Sequence, residues 1–421
     1  MTDCPLFVGA GIGKIAFTAK DFPIKQFTGV HDDLHVRVVL INTNESFAFV
    51  SLELTSLPAN AITFYKNIVM EMTGIEESHI WISVTHTFSA PHIPPSERTS
   101  EEVEIIFKMY NKTSTALKEA LQQAIEKKTA AEFAFELSKC GININRNMKT
   151  ADGWWFGNNE MEYSNHDVRV VTFRDHSQHP IAVLYNYDIQ PSVMDNVITS
   201  AGEKLVSADI AGAASQYVEK KYGPETVAIF LPGAAGDQAP ILKGISWDID
   251  GNGKPKSTSR GTDSFILAEA LGNYLGKSVI TAIRNSNHFT ETCRLQLKQI
   301  NVSVPEQKML YSTKELKPSK NYPFVTTGGK LRIPVDILTI NSLSMLGTPP
   351  ELNSSFGQII RHQFNEPNTF ICTLINGRMK YLPQQIDYER ITYTAMNTMI
   401  GQGADKILLR EIRKLIQSDS E

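Results

Sequence analysis

The chain has 421 residues, 42% of them hydrophobic and 20% charged, with 41 Lys and Arg against 45 Asp and Glu. This content supports a large packed core and excludes extended disorder. The near balance of charge, 41 − 45 = −4, excludes the basic excess of a dedicated nucleic-acid binder. The opening MTDCPLFVGAGIG has neither the basic segment nor the apolar run of a secretory signal. No apolar stretch reaches the roughly 20 residues that cross a bilayer as a helix. Cys4, Cys140, Cys293 and Cys372 are scattered and form no Cys-x-x-Cys pair. The expectation is a cytoplasmic protein with free thiols and no cysteine-based zinc site.

Taken in chain order, residues 36–42 and 46–52 are β-branched and aromatic-rich runs across a polar turn, which predicts two strands. Pro58 opens a predicted helix over 58–73, and His79–Val84 reads as a short buried strand. Ser100 precedes Glu101 and Glu102 at the start of a long helix over 100–127, where acidic side chains suit the positive helix end. Strands at 168–174 and 181–187, a helix at 208–222, a strand at 226–231 and a helix at 262–284 follow. The rest is β-rich until a helix at 403–417. The alternation predicts an α/β fold of mixed sheets flanked by helices, with 1–421 as one large domain. Residues 245–261 read as a surface loop, and 303–330 as a second loop or a seam.

Six segments invite a chemical reading. Gly9-Ala10-Gly11-Ile12-Gly13 resembles a dinucleotide fingerprint, but Lys14 stands where the last glycine belongs, so a terminal strand or turn is the better reading. Asp248–Gly253 matches half of a calcium loop, but Ser259 replaces the closing Glu, which favours a plain turn. His86, in Thr85-His86-Thr87-Phe88, directly follows a buried strand, where α/β folds place their sites; a structural histidine is the competing reading. The turn Pro232–Pro240 (PGAAGDQAP) could expose amides that cradle an anion, or be only a turn. Glu351 follows a stiff Gly-Thr-Pro-Pro turn, and Tyr381 and Tyr393 lie in an aromatic stretch that packing alone would explain.

In this order the segments VGAGIGKIAFT, HDDLHVRVVLI, THTFSAP, Asn145-Arg146, YNYDIQPS, Ser207-Ala208-Asp209, GAAGDQAP, GTPPE and KYLP resemble the catalytic domain of the neutral/alkaline, non-lysosomal ceramidases. The resemblance covers nearly the whole chain. It implies an α/β hydrolase with a buried zinc ion that cuts the amide of an N-acyl-sphingosine. On the matching positions it implies His86, Glu351 and Tyr381 as metal ligands, and Arg146 and Tyr393 as groups that bind the reacting carbonyl. Asp237 would orient a ligand through a hydrogen bond. It also implies that the immunoglobulin-like domain common in the family is missing after Glu421.

Three positions depart from the pattern: Phe88 replaces the second His of T-H-T-H, Gln190 the second ligand His, and Ala239 the Ser of G-D-x-S-P. An amide oxygen is a poorer zinc ligand than imidazole. Asp188 and Gln190, two apart on a strand, are expected to share a face, so that Asp188 supplies the missing ligand or both bind a harder metal. The departures point away from ceramide, toward a metal-dependent hydrolase of another amide or lipid-like small molecule. The alternative is a non-catalytic ligand-binding protein with a decayed site. Trp154, Trp155 and Phe156 are expected to form a pocket lid or a packed loop.

Overall fold

The computed structural model describes residues 4–95, 98–364 and 367–417. Three sheets meet face to face, and helices cover their outer sides. The first sheet has the strand order Ile80–Val84, Ser46–Leu52, Leu34–Asn42, Phe7–Ile15 and Thr129–Ala130. The second runs Val227–Pro232, Pro180–Tyr187, Asp167–Arg174 and Glu132–Lys139; the third runs Leu295–Gln307, Thr326–Ile340, Leu343–Thr348 and Thr369–Thr373. Val39, Phe49 and Trp81 of the first sheet, Val171 and Ile229 of the second, and Leu338 and Phe370 of the third belong to one buried cluster. Strands buried on both faces explain the unbroken apolar runs such as VRVVLIN.

Each sheet turns its other face to helices. Ala59–Thr73 and Ser100–Glu126 pack on the first, Asp209–Tyr222 and Ser264–Asn285 on the second, and Ser354–Arg361 and Ala404–Gln417 on the third. The long helix starts at Ser100 as expected, and Thr99 is its cap, its side chain accepting from the Glu102 amide at 3.2 Å. The glycine run near the terminus is the strand Phe7–Ile15, and its small residues let the long helix approach the sheet. A Cβ on Gly13 would stand 1.9 Å from the Ala116 carbonyl oxygen.

One expected loop differs from the structure, and a second is shorter than expected. Residues 245–261 form a hairpin of Ile245–Ile249 and Pro255–Ser259, in which Asp250 accepts from the Asn252 and Lys254 amides and so closes its own turn. Of 303–330, the larger part, 308–325, lies outside regular structure as expected, while its two ends belong to the paired strands Leu295–Gln307 and Thr326–Ile340. Both stretches are polar because these strands are largely solvent-facing, which hides the alternation that marks a half-buried strand.

Each of the three sheets contains one parallel pair of strands: Ser46–Leu52 with Ile80–Val84, Pro180–Tyr187 with Val227–Pro232, and Leu343–Thr348 with Thr369–Thr373. Segments leaving the carboxyl ends of these strands carry His86, Gln190, Asp237 and Glu351. Gly13→Ala should lower stability by about 1–3 kcal/mol through overpacking. A urea midpoint unchanged from the parent protein would contradict the close helix–sheet contact.

Candidate active site

His86 follows its strand with a left-handed backbone, φ 65°, a conformation that costs a non-glycine residue of order 1–3 kcal/mol. Its Nδ1 lies 2.5 Å from the Thr55 carbonyl oxygen, so Nδ1–H donates there and Nε2 turns inward. Nε2 is buried, has no hydrogen-bond partner and faces Glu351 Oε2 at 3.3 Å. Burial pulls the His86 pKa down, but the Glu351 charge outweighs it and holds the imidazole above its ordinary value. The Phe88 ring stands edge-on to His86, with centroids 4.7 Å apart.

Glu351 and Tyr381 are brought together by a two-residue parallel bridge in which they are direct partners. Both are buried, at 5% and 6% exposure. Gln190 Nε2 donates to Glu351 Oε2, and Gln190 Oε1 accepts from Arg146 Nη1 at 2.6 Å. Arg146 comes from the strand Asn143–Thr150 and donates its Nη2 to the Gly236 carbonyl at 2.7 Å. Its guanidinium lies over the rings of Phe156, Tyr381 and Tyr393, while its buried Nε has no partner. The Tyr393 hydroxyl accepts from Asn397 Nδ2 at 2.8 Å, which leaves its own proton to donate.

The structure therefore brings His86, Gln190, Glu351, Tyr381, Arg146 and Tyr393 to one place. Asp237 stands behind them. Its carboxylate accepts from the Ser354 amide and from Asn145 Nδ2, both at 2.9 Å, and its carbonyl accepts from the Arg146 amide at 2.8 Å. Trp154, Trp155 and Phe156 lie in the strand Gly153–Asn159, and Trp155 and Phe156 pack against Tyr393.

Asp188 is a correction. Its Oδ1 is 2.9 Å from Arg361 Nη2 and 3.0 Å from the Ala234 amide, and its Oδ2 accepts from Ser354 Oγ at 3.0 Å. Both oxygens are spoken for, so Asp188 is no substitute ligand. The strand ends at Tyr187, and the Ile189 amide folds back onto the Tyr187 carbonyl. Alternation stops there, and residues 188 and 190 point to different neighbours. The glycine turn is no anion cradle either. The Gly233, Ala234 and Gly236 amides donate to Tyr187 O, Asp188 Oδ1 and Leu352 O.

These donors can be tested against a divalent ion. A gap of 3.3 Å between His86 Nε2 and Glu351 Oε2 matches the edge of a tetrahedron with metal bonds of about 2.0 Å. A buried imidazole nitrogen without a hydrogen bond, set against a carboxylate oxygen, is a donor pair that a cation could bridge. His86, Glu351 and the Tyr381 phenol thus fit a metal. Gln190 fits poorly, because Arg146 engages its only ligating atom. Among the described residues no three His, Cys, Asp or Glu side chains gather as a metal group.

No family model matches the sequence, and no curated protein matches it. Solved structures do. Neutral ceramidase from Pseudomonas aeruginosa superposes with a TM-score of 0.75 over 98% of this chain and 74% of its own, at 15% identity. A structure described as ceramidase complexed with C2 gives 0.74 over 99% of this chain and 76% of its own, at 14% identity. The class that the architecture defines is a mixed α/β protein with several sheets flanked by helices. Within that class the chain has the neutral ceramidase fold.

Sequence reasoning missed Arg361, Asn397 and Asp387. Asp387 holds the segment before Tyr393: its Oδ1 accepts from Thr392 Oγ1 at 3.2 Å, and its Oδ2 from Asn353 Nδ2 at 2.7 Å. Burial, with the Asp237 charge nearby, pushes its pKa up to about 7. Between the ordinary carboxylate value near 4 and about 7, the folded state keeps a proton that the unfolded state has released. Stability from this group is therefore lost as pH rises through that window. Urea titrations at pH 5 and pH 8 should show the protein weaker at pH 8, with the difference reduced in Asp387→Asn. An identical pH dependence in the variant would remove Asp387 from this role.

Proposed function

We propose that the protein is a metal-dependent hydrolase that cuts the C–N bond of a linear amide other than ceramide. The observation that carries this reading is the buried His86 Nε2, which makes no hydrogen bond and lies 3.3 Å from the Glu351 carboxylate. His86, Glu351 and Tyr381 would hold the ion, zinc or another divalent metal, with Gln190 beside them. When bound, such an ion lowers the pKa of water and polarises a carbonyl. The chain's own residues supply the rest. Arg146 Nε and the Tyr393 hydroxyl are two donors without acceptors of their own, suited to the oxygen on which charge develops. Asp237, through Asn145 and the Arg146 backbone, keeps the guanidinium in position. The reading includes a cytoplasmic location, which the four free thiols support.

A second reading, a ligand-binding protein without turnover, is favoured by one observation. The Gln190 amide bridges Arg146 and Glu351 with its own hydrogen bonds. Elemental analysis of untagged protein decides between the two. The hydrolase reading expects about one metal per chain, lost in His86→Ala. It also expects amide hydrolysis that falls about 10²–10³-fold in kcat in Tyr393→Phe. A metal-free protein that stays inert after soaking in zinc, manganese or calcium would establish the second reading.

A further inference from the structure

We propose that Lys380 is a positioning residue for the reaction: acting through the Asn397 side chain, it commits the Tyr393 hydroxyl to donate its hydrogen to the substrate carbonyl. The carbonyl belongs to the hydrolase reading, on which that part rests. The order of the hydrogen bonds stands without it.

Asn397 closes the short helix Tyr393–Met396, four residues after Tyr393, and is buried at 4% exposure. The two ends of its carboxamide differ: the oxygen only accepts and the nitrogen only donates. Lys380 Nζ lies 2.6 Å from Asn397 Oδ1, and Thr313 Oγ1 approaches the same oxygen at 3.2 Å. An ammonium has only hydrogens to give, so the carboxamide cannot turn over without setting two donors against each other. Asn397 Nδ2 is thereby fixed toward the Tyr393 oxygen, 2.8 Å away. With the carboxamide reversed, its oxygen would face the phenol and capture the phenolic hydrogen. As it stands, that hydrogen is free for a ligand.

The backbone of Lys380 also belongs to the site. Its carbonyl accepts from the Glu351 amide at 2.7 Å, and Tyr381 follows it directly. Its φ of 52° is left-handed, a conformation that a non-glycine residue keeps only where its surroundings hold it. Nζ donates to Asn397 Oδ1 and Thr313 Oγ1 and pairs with no carboxylate among the described residues. Hydrogen bonds from a charged donor are roughly twice as strong as neutral ones, so Lys380 is the stronger of the two holds on the carboxamide. Thr313, the weaker one, comes from 308–325, whose Leu316 and Tyr322 share a buried cluster with Met396.

The test uses the full chain and the variants Tyr393→Phe, Asn397→Asp, Lys380→Met and Lys380→Arg, with thermal melts verifying that each is folded. Asn397→Asp keeps the size and the Lys380 contact but presents an acceptor to the phenol. With N-lauroylethanolamine and N-lauroylglycine as amide probes, it should lower kcat about 10²–10³-fold, as Tyr393→Phe does. Added to Tyr393→Phe it should cost nothing more. Lys380→Met should lose about tenfold, and Lys380→Arg, which still offers only donors, should recover most of that loss. A second readout needs no turnover. With the phenolic carbon of tyrosine isotope-labelled, the Tyr393 resonance is the one missing in Tyr393→Phe. It should move toward the phenolate position in Asn397→Asp, move also in Lys380→Met, and stay in place in Lys380→Arg. Parent-like activity in Asn397→Asp, additive losses in the double variant, or a resonance unmoved by Lys380→Met would overturn the proposal. A resonance that moves as expected in a protein that holds no metal and cuts neither probe would uphold the part played by Lys380 and sink the hydrolase reading. Hydrolysis lost in Tyr393→Phe but unaffected by Asn397→Asp would do the reverse.

Discussion

The site depends on one buried ion pair, Asp188 with Arg361, at 1% and 0% side-chain exposure. Two charges so deep in the protein persist only if every oxygen is satisfied. Here Ala234, Ser354 and Asn165 complete the shell of Asp188. Those partners come from different segments: the turn after Val227–Pro232, the helix after Glu351, and the chain before Asp167–Arg174. Binding all of them to one carboxylate fixes the strand-end segments that carry Gln190, Asp237 and Glu351. Such a pair adds little net stability, but removing one member typically costs about 3–5 kcal/mol. Its value here is registration of the second and third sheets at the site.

Around that anchor the polar groups fall into two sets. Asp237, Asn145 and Asp387 are hydrogen-bonded to neighbouring side chains and backbone, Asn353 among them as a donor to Asp387, and they hold Arg146 and the Tyr393 segment. His86 Nε2 and Arg146 Nε are buried and unsatisfied. Interiors rarely leave such atoms without partners. The first set is scaffold, and the second is what a metal, a substrate or both would satisfy. The strained backbone of His86 belongs with the second set, because the surrounding hydrogen bonds must hold it there.

Much of the fold was legible in the sequence. Ala59–Thr73, Ser100–Glu126, Asp209–Tyr222 and Ala404–Gln417 lie within a residue or so of their expected bounds, because capping and apolar periodicity are local signals. The strands Ile80–Val84 and Val227–Pro232 were legible as apolar runs. The hairpin at 245–259 and the long strands flanking 308–325 were not, because they carry polar side chains on exposed faces. Within the site, His86, Arg146, Glu351, Tyr381 and Tyr393 could be named from ordered short motifs, and the structure puts them together. Asp188 was misplaced, since period-2 reasoning was carried past the end of its strand.

The sequence by itself determined the alternation of helices and buried strands, the near-neutral charge, and which side chains could do chemistry. It could do so because propensity, capping and residue type act over a few neighbours. Only the tertiary structure decided that Asp188 belongs to Arg361 and that Arg146 engages the Gln190 oxygen. Those are contacts between residues as far as 173 positions apart. Their partners are set by the packing of three sheets, which no local pattern encodes.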